Sequence, residues 1–404
     1  MIPSDEIRIW SKSRNEPEWL LELRLKNFEL FNHFRSNRIA DSPVEEMYFN
    51  KNKYLQNMLD NISKNQKIEG LFEYKNNRVC FDLSQNNDID VHLTLDGAEI
   101  IDINNAIYKY PDAVKESMNY ATDEYMALRN ALWNIGLFVY IPKNKVIKKK
   151  INLNTIFGEN AIIKNDLFFI GENSEVEFVN YTNIKEPSYS LDGATYILNN
   201  SSKLKSIYLG DGSSNSLITV KNSILKEKSK EEWYFALKSF DYHLMDSKSV
   251  YKGELSNSKI LGAGIGKNKE VYESITDSLH LAQETSSFSN IKVALTDYSR
   301  AIMRGNIKIE KTAAKSNAFY AGNALLLNRG ANSITLPFLE IFGSGSVARH
   351  AATSTNVDPD HIFYLLTRGL DEVTAKKILI DGFLDDVVRE ILITENTRFL
   401  KFGE

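Results

Sequence analysis

A mainly β fold, with a β-helix core between N-terminal and C-terminal helical domains, is the architecture that the sequence predicts. From Leu137 onward, roughly two hundred residues form short β-branched or aromatic runs separated by Gly, Asn, Ser and Asp. No proline falls between Pro187 and Pro337, as expected where backbone N–H groups are committed to ladders. A polar turn followed by alternating apolar residues recurs, but irregularly. Such strands also suit a β-sandwich, although the length favours a solenoid, which grows by adding rungs.

The sequence pattern changes twice, from helical to strand-like and back, and this divides the chain into three parts. We predict an N-terminal helical and mixed domain over residues 1–136, the β-helix core over 137–355 and a C-terminal helical domain over 356–404. In the first part, Glu16–Phe34 carries apolar residues at spacings close to three and four, the pattern of an amphipathic helix. A second helix is expected to start at Ser42, because proline and glutamate follow it as in an N-cap sequence.

Shorter elements complete the two flanking parts. Alternating apolar residues within 78–103 suit strands, and helical spacing returns over 112–132. A run that opens at Asp358 stops at Gly369, a glycine placed as a C-terminal cap, and a second run ends at Gly382. These two helices form an αα-hairpin, and its apolar residues need the body of the protein or another protein to cover them.

Composition excludes several classes of function. With 49 basic against 53 acidic residues, the net charge is −4, which gives no global attraction for nucleic acid. The one cysteine, Cys80, excludes intramolecular disulfides and any all-cysteine metal or cluster site within one chain, and we expect it to pack as a small hydrophobe. The N-terminal residues lack a basic and apolar leader, and no stretch approaches about 18 apolar residues. We therefore expect a soluble, cytoplasmic protein with no membrane partner.

No catalytic constellation stands out in the sequence. The six histidines include no pair at the spacing of a helical metal site, and on the residues alone His350 is best interpreted as a hydrogen-bonded histidine at the end of the β region. The glycine-rich run Leu261–Gly266 lacks the pattern of a P-loop, and we interpret it as a close passage between rungs. Carboxylates form no pair on one strand face of the kind that a glycan-cleaving β-helix uses. We expect a protein that is not an enzyme.

Several segments together resemble the SufB/SufD family of iron-sulfur cluster assembly proteins. In chain order they are residues 15–26, 102–111, 131–143 (ALWNIGLFVYIPK), 299–309 (SRAIMRGNIKI), 323–327 and 362–383. The middle of the chain, from about 181 to 290, matches the family poorly. Its assignment to the β-helix depends only on its short strand-like runs and polar turns. The resemblance implies a right-handed parallel β-helix flanked by N-terminal and C-terminal helical domains.

The resemblance also implies partners and a function. It implies a scaffold subunit that pairs with a second SufB/SufD-type subunit, as a homodimer or heterodimer, and helps to hold and transfer a nascent cluster. A SufC-type ATPase would bind the C-terminal helices, through Ile362, Phe363, Leu366, Arg368, Gly369, Ile378 and Phe383. We expect the subunit contact at an exposed terminal strand edge near residues 318–341, because exposed edges are normally covered.

Two departures bear on the kind of family member. SufB-type members have a cysteine shortly before the segment that here spans 331–337, and a glutamate directly after the histidine matched by His350. This chain has no cysteine within 328–332, and Ala351 follows His350, a pattern closer to SufD-type members. His350 thereby becomes a candidate metal ligand for a transient iron-sulfur cluster. Because a cluster needs about four protein ligands, that site would be shared with the partner subunit.

Two other functions remain open from the sequence. One is a β-helix carbohydrate-active enzyme or adhesin. The expected lack of a leader and the lack of carboxylate pairs argue against it. The other is a purely structural homodimer. Neither requires an ATPase partner or an iron-sulfur cluster.

Overall fold

The structure, a computed structural model, describes residues 4–36, 56–60, 71–75, 78–83, 92–119, 121–158, 162–186 and 189–394. Its helices are α1 (Ser4–Ser13), α2 (Glu18–Ser36), α3 (Ile103–Lys109), α4 (Pro111–Met118), α5 (Glu124–Leu132), α6 (Pro359–Thr367) and α7 (Glu372–Thr394). Its strands are β1 (Leu71–Lys75), β2 (Arg78–Asp82), β3 (His92–Leu95), β4 (Ala98–Asp102), β5 (Leu137–Ile141), β6 (Ile151–Phe157), β7 (Ile163–Ile170), β8 (Glu175–Ile184), β9 (Leu191–Leu198), β10 (Lys203–Leu225), β11 (Lys230–Tyr251), β12 (Asn257–Gly266), β13 (Val271–His280), β14 (Ser286–Leu295), β15 (Arg300–Ile309), β16 (Asn317–Leu326), β17 (Asn332–Ile341) and β18 (Val347–Asn356).

The strands from β5 onward wind into a parallel β-solenoid of about 7 turns. On one side β12 pairs with β14, β14 with β16 and β16 with β18, all in parallel. On the other side β11, β13, β15 and β17 follow one another in the same way. The long strand β10 serves both sides, pairing first with β8 and then with β9. The predicted mainly β fold with helices at both ends is confirmed, and the β-sandwich alternative is excluded.

One corner of the solenoid repeats the same turn in successive rungs. A residue with left-handed backbone, φ between 53° and 61°, occupies this turn at Asn144, Asn173, Ser201, Lys228, Leu255, Glu284 and Lys315. Each donates its N–H to a carbonyl of the following turn, as Asn173 does to Asn200 at 3.0 Å and Glu284 to Ala314 at 2.9 Å. These positions are 27 to 31 residues apart. The repeat is thus regular in backbone conformation while its residue types vary, which explains why the sequence showed only a loose period.

Three apolar clusters follow from this winding. The first fills the solenoid interior with side chains such as Phe168, Phe235 and Ile291. The second lies between one outer face and the N-terminal helices α1 to α5. The third lies between the other outer face and α7, whose Leu384 and Val387 are fully buried. Apolar burial on both outer faces therefore attaches the helical segments to the solenoid.

A buried ion-pair cluster joins α5 to the solenoid. The carboxylate of Asp123 caps the helix, accepting hydrogen bonds from the N–H groups of Tyr125 at 2.8 Å and Met126 at 2.9 Å. The same carboxylate lies 2.5 Å from Nζ of Lys248 on β11. Lys248 also contacts Asp277 on β13 at 3.0 Å. Each buried charge faces an opposite charge, which offsets the cost of removing it from water.

Most of the predicted flanking elements are present. The helix predicted over Glu16–Phe34 is confirmed as α2, and the helical pattern over 112–132 corresponds to α4 and α5. The strands predicted within 78–103 are β2, β3 and β4. The helix start predicted at Ser42 lies outside the described residues. The three domain boundaries stay a prediction.

The two glycines of the C-terminal hairpin behave differently. Gly369 is confirmed as a capping glycine, because it comes directly after Arg368, the C-cap residue of α6, and has φ +87°. The prediction that a helix ends at Gly382 is wrong, since α7 continues through it to Thr394. Gly382 does not have the left-handed backbone of a helix cap. A glycine without that conformation only weakens a helix, by about 1 kcal/mol relative to alanine.

The glycine-rich run of β12 lies where side chains of adjacent rungs approach. A Cβ at Gly262 would lie 2.1 Å from Cζ of Phe235, inside the ring's contact distance. A Cβ at Gly264 would lie 3.7 Å from its nearest neighbour, Cγ1 of Val293, and Gly264 lines an interior cavity of about 20 Å³. The predicted close passage between rungs is confirmed at Gly262 and does not extend to Gly264.

The variants Gly262→Ala and Gly264→Ala are therefore expected to shift stability in opposite directions. Gly262→Ala should lower the free energy of unfolding by about 1–3 kcal/mol, because the new methyl group displaces the Phe235 ring. Gly264→Ala should raise it by about 0.4–1 kcal/mol, because the methyl fits and the unfolded chain loses freedom. Urea unfolding measures both, and a stabilised Gly262→Ala would contradict the packing described.

Candidate functional site

The solenoid ends at two strands that pair along one edge each. Within the described part of the chain, β17 pairs with β15 and β18 with β16, and neither has a partner along its other edge. The expected free edge near 318–341 is wrong for residues 318–326, because β16 pairs on both sides, with β14 and with β18. Among the described residues at this end of the solenoid, the free edges are those of β17 and β18. Their open N–H and C=O groups are a template for strand pairing with another chain.

Large apolar side chains are exposed at this end. The exposed fractions of Phe338, Phe342 and Val347 are 57%, 53% and 52%, and Leu336 and Ile341 are also exposed. All five belong to β17, to β18 or to the turn between these strands. Several exposed apolar side chains close together mark an interaction surface rather than ordinary solvent-facing chain.

His350 lies on β18 in register with Tyr320 on β16. Residues in register on parallel strands point to the same side of the sheet, and Tyr320 points into the solenoid, where it is 1% exposed. His350 therefore faces the interior side. No further rung covers it among the described residues, so its imidazole is exposed. This exposure argues against the interpretation of His350 as a hydrogen-bonded structural histidine.

Four other polar residues face the interior side at the same end. Ser333 and Thr335 on β17 are in register with the buried Ala301 and Met303, and Ser354 on β18 with Ala324, which is also buried. The hydroxyls of Ser333 and Ser354 lie 2.9 Å apart and connect the two strands. We call these polar interior-facing residues the open-end cluster: Tyr320, Ser333, Thr335, His350 and Ser354.

The open-end cluster supplies one strong metal ligand, the imidazole of His350. Its remaining members are hydroxyl groups, which are weak ligands for iron. Across the described ranges, no group of three His, Cys, Asp or Glu side chains is placed to hold a metal ion. A metal or cluster held here needs further ligands from a second molecule, as a shared site requires.

The C-terminal hairpin exposes a second apolar surface. The exposed fractions of Phe363 and Val373 are 66% and 74%, and Tyr364, Leu366 and Ile378 are also exposed. We call these five residues the hairpin surface. Phe363, Leu366 and Ile378 were predicted from the sequence as partner contacts. Tyr364 and Val373 were missed, although both stand in the same two apolar runs.

The remaining predicted partner contacts lie in three different settings. Ile362 is half-buried, and Gly369 is the exposed cap after α6. Arg368 donates a hydrogen bond to the Tyr364 hydroxyl at 3.1 Å and stacks on that ring. Phe383 lies against the solenoid instead, where its carbonyl accepts a hydrogen bond from Lys292 Nζ at 2.9 Å.

A polar chamber inside the solenoid was not anticipated from the sequence. Lys164 Nζ lies 2.8 Å from Asp166 and 2.9 Å from Asp192, and the Tyr208 hydroxyl donates to Asp192 at 3.0 Å. Burial lowers the pKa of Lys164, but the two carboxylates more than offset this, so the pKa is raised overall. The adjoining cavity measures about 20 Å³, enough for about one water molecule. Its charges satisfy one another, which suits a structural role.

The family assignment follows from a match over the solenoid and the hairpin. The family model described as the SUF system FeS cluster assembly SufBD core domain matches residues 154–383, more than half of the chain. The chain belongs to the SufB/SufD family. The predicted resemblance is confirmed, and so is the SufD-like character of this family member. The matched segment begins in β6 and ends in α7, so it includes the open-end cluster and the hairpin surface.

Similar proteins cover nearly the whole of this SufB/SufD-family chain. It is 23% identical to the iron-sulfur cluster assembly protein SufD of Bacillus subtilis (strain 168), over 97% of this chain and 94% of that protein. It is 23% identical to a chloroplastic iron-sulfur cluster assembly SufBD family protein of Arabidopsis thaliana, over 96% and 77%. It is 22% identical to an iron-sulfur cluster assembly SufBD family protein of Staphylococcus haemolyticus (strain JCSC1435), over 98% and 91%.

None of the helices in the described ranges is both long enough and apolar enough to cross a bilayer.

Proposed function

We propose that this SufB/SufD-family chain is a non-enzymatic scaffold subunit of iron-sulfur cluster assembly. It pairs with a second SufB/SufD-type subunit through the free edges of β17 and β18. The observation that carries the proposal is the composition of the open end, where strands with one free edge among the described residues, exposed apolar side chains and one exposed imidazole occur together. Pairing of the free strand edges fixes the orientation of the two subunits. Burial of Phe338 and Val347 stabilises their contact.

The cluster is cargo at a shared site. His350 supplies one imidazole, and the partner subunit supplies thiolate or carboxylate ligands across the contact, because a cluster needs about four protein ligands. When the partner subunit covers the open end of the solenoid at β17 and β18, it also protects a labile cluster from water. The transfer of the cluster then requires the contact to loosen again.

A SufC-type ATPase is the second partner, and it binds the hairpin surface. This chain lacks a P-loop, so any nucleotide hydrolysis in the complex comes from another subunit. The hairpin surface is apolar and exposed, the two properties expected of a surface that another protein covers. It lies on α6 and α7, directly after the last strand of the solenoid. A conformational change of the bound ATPase would therefore act on a part of this chain that lies next to the open end in sequence.

His350→Ala is expected to remove cluster from the complex without unfolding it. In a complex co-expressed with SufB-type and SufC-type subunits, iron and sulfide content per complex should fall by about tenfold or more, because one ligand is lost. Thermal stability should not change, because the imidazole is exposed. His361→Ala, also exposed but on α6, is the matched control and should retain wild-type content.

Two results would contradict this proposal. If His350→Ala lowers stability while cluster content per folded complex is unchanged, His350 is a structural histidine. If the wild-type chain forms only a homodimer that takes up neither iron nor sulfide in the presence of both partners, the protein is a purely structural homodimer.

A further inference from the structure

The last helix, α7, contains a glycine that its packing does not require. Gly382 lies in the interior of this 23-residue helix and lacks the left-handed backbone of a cap. A Cβ at this position would meet nothing within 4 Å, so no neighbour excludes a side chain. Alanine would fit and would favour the helix. What glycine adds here is freedom of the backbone.

The part of α7 that follows this glycine is firmly attached to the solenoid. Three of its side chains are fully buried in the third apolar cluster: Leu384, Val387 and Ile391. Two ion pairs add to this attachment, because Lys292 Nζ lies 2.7 Å from Asp386 and Lys259 Nζ lies 3.0 Å from Glu390. We call residues 383–391 the anchored segment.

The residues before the glycine are held much more loosely. We call residues 359–381, which comprise α6 and the first part of α7, the hairpin arm. Within this described range Ala375 is the one buried residue. The hydrogen bonds and ion pairs of the arm join its own residues, and none reaches a described residue of the solenoid. Only Ile380 of the arm packs against the third apolar cluster, and it is half-buried.

The arm leaves the solenoid and returns to it at the same outer face. Val357, which follows β18, donates its N–H to the carbonyl of Leu326 at 2.9 Å and packs against the third apolar cluster. Phe383, which follows the arm, packs against the same cluster. Two connections at one face define an axis, about which the arm can turn without losing its internal contacts.

We propose that Gly382 is a hinge on which the hairpin arm pivots as a unit, between a position with Ile380 on the apolar cluster and a position with Ile380 released. The pivot loosens the helical hydrogen bonds that cross Gly382, and glycine lowers the cost of loosening them. The hairpin surface lies wholly on the arm, so a partner bound there moves relative to the open end. The hinge belongs to this chain alone, whereas its use by an ATPase rests on the proposed function.

The first test measures distances between spin labels by pulsed electron paramagnetic resonance. It uses the full-length chain with Cys80→Ser, which removes the native thiol. One label is placed at Thr367→Cys on the arm and a control label at Arg389→Cys on the anchored segment, both exposed positions. Each is paired with a label at Tyr298→Cys on the solenoid. The distance distribution should be broader for the Thr367 label than for the Arg389 label.

Two variants should change the Thr367 distribution in opposite directions. Gly382→Ala should narrow it, with about fivefold less of the pivoted position, because alanine favours the helix over glycine. Ile380→Ala should broaden it, because it removes the apolar contact that holds the arm down. Neither variant should change the distribution of the Arg389 label.

Hydrogen exchange of the unlabelled chain is the second test. The amides of residues 383–386 donate the helical bonds that cross Gly382. In Gly382→Ala they should exchange about fivefold more slowly than in wild type, by the same difference in helix preference. The amides of residues 388–391 bond within the anchored segment and should exchange at the wild-type rate.

The outcomes separate the hinge from the function that would use it. Equal widths for the two labels in the wild-type helix, or exchange at 383–386 that Gly382→Ala leaves unchanged, would overturn the hinge. The proposed function would stand in that case if Phe363→Asp with Val373→Asp still abolished ATPase binding. If the labels and the exchange behave as expected while this double variant binds the ATPase as wild type does, the hinge stands and its use by the ATPase is overturned.

Discussion

Replacing Arg24 by alanine is expected to lower the free energy of unfolding by about 3–5 kcal/mol, the loss typical when one partner of a buried ion pair is removed. The guanidinium contacts both carboxylate oxygens of Glu16, with Nε at 2.8 Å and Nη2 at 2.9 Å. Burial lowers the pKa of Arg24 to about 10, which still leaves the group charged at neutral pH. Alanine would leave the buried Glu16 carboxylate beside a cavity, with the partly exposed Arg14 at 3.1 Å as its remaining cation and the Ser11 hydroxyl as a donor at 2.9 Å.

Further contacts make Arg24 the link between α2 and α5. Its Nη1 donates to the carbonyls of Ala131 at 3.0 Å and Trp133 at 3.1 Å. The indole rings of Trp10 and Trp133 lie against the guanidinium, with centroids at 4.6 Å and 4.2 Å from Cζ. A planar cation satisfies the carboxylate, the carbonyls and both rings at once, which lysine cannot do. Arg24→Lys is therefore expected to recover only part of the loss.

Lys26→Ala provides the control on the same helix. Lys26 is exposed, and its replacement should change stability by no more than about 0.5 kcal/mol. Chemical unfolding can be monitored by tryptophan fluorescence, to which Trp10 and Trp133 contribute two of the four tryptophans of the chain. An Arg24→Ala variant as stable as Lys26→Ala would refute the assignment of this ion pair as the anchor of the N-terminal helices.

The double variant Phe363→Asp with Val373→Asp is expected to weaken binding of a SufC-type ATPase by about 100-fold or more. Buried apolar anchors at interfaces contribute about 2 kcal/mol each, and a carboxylate in their place would be buried without a partner. Both side chains are largely exposed in this chain, so its own stability should change by no more than about 0.5 kcal/mol. Isothermal titration calorimetry with the full-length chain measures the affinity.

Point substitutions test the hairpin surface better than deletion does. Truncation after Thr355 would remove Leu384, Val387 and Ile391, which are buried against the solenoid, and would expose its outer face. A control for added charge is Tyr298→Asp, since Tyr298 is 65% exposed and belongs to the turn between β14 and β15 rather than to α6 or α7. Unchanged affinity in the double variant would show that the ATPase binds elsewhere.

The solenoid was predictable because its information is local. Alternating apolar residues mark each strand in the sequence, and polar residues mark each turn. The length of the β region then favoured a solenoid over a sandwich. The end of a helix at Gly382 was predicted wrongly because a glycine ends a helix through its backbone angle, which the sequence does not display. Of the two hairpin glycines, only Gly369 adopts that angle.

The site was less predictable than the fold. His350 stood out by family resemblance, because its neighbours alone suggest a structural histidine. Tyr320 and Gly305 are fifteen positions apart, and nothing local shows that the ring of one needs the missing side chain of the other. The chamber at Lys164 and Asp192 was missed because alternation patterns assign charged residues to the outside, whereas these two face inward and satisfy each other.

The stacked left-handed turns make the solenoid a molecular ruler. Every turn advances the structure by one strand spacing, about 4.8 Å, and contacts only the turns before and after it. The number of turns therefore determines the distance between the N-terminal helices and the open end of the solenoid. Adding or deleting one whole unit of 27 to 31 residues in mid-solenoid would change that separation by a single step and leave both ends intact. We expect a difference in length of this size to change that separation and to leave the chemistry of the open end unchanged.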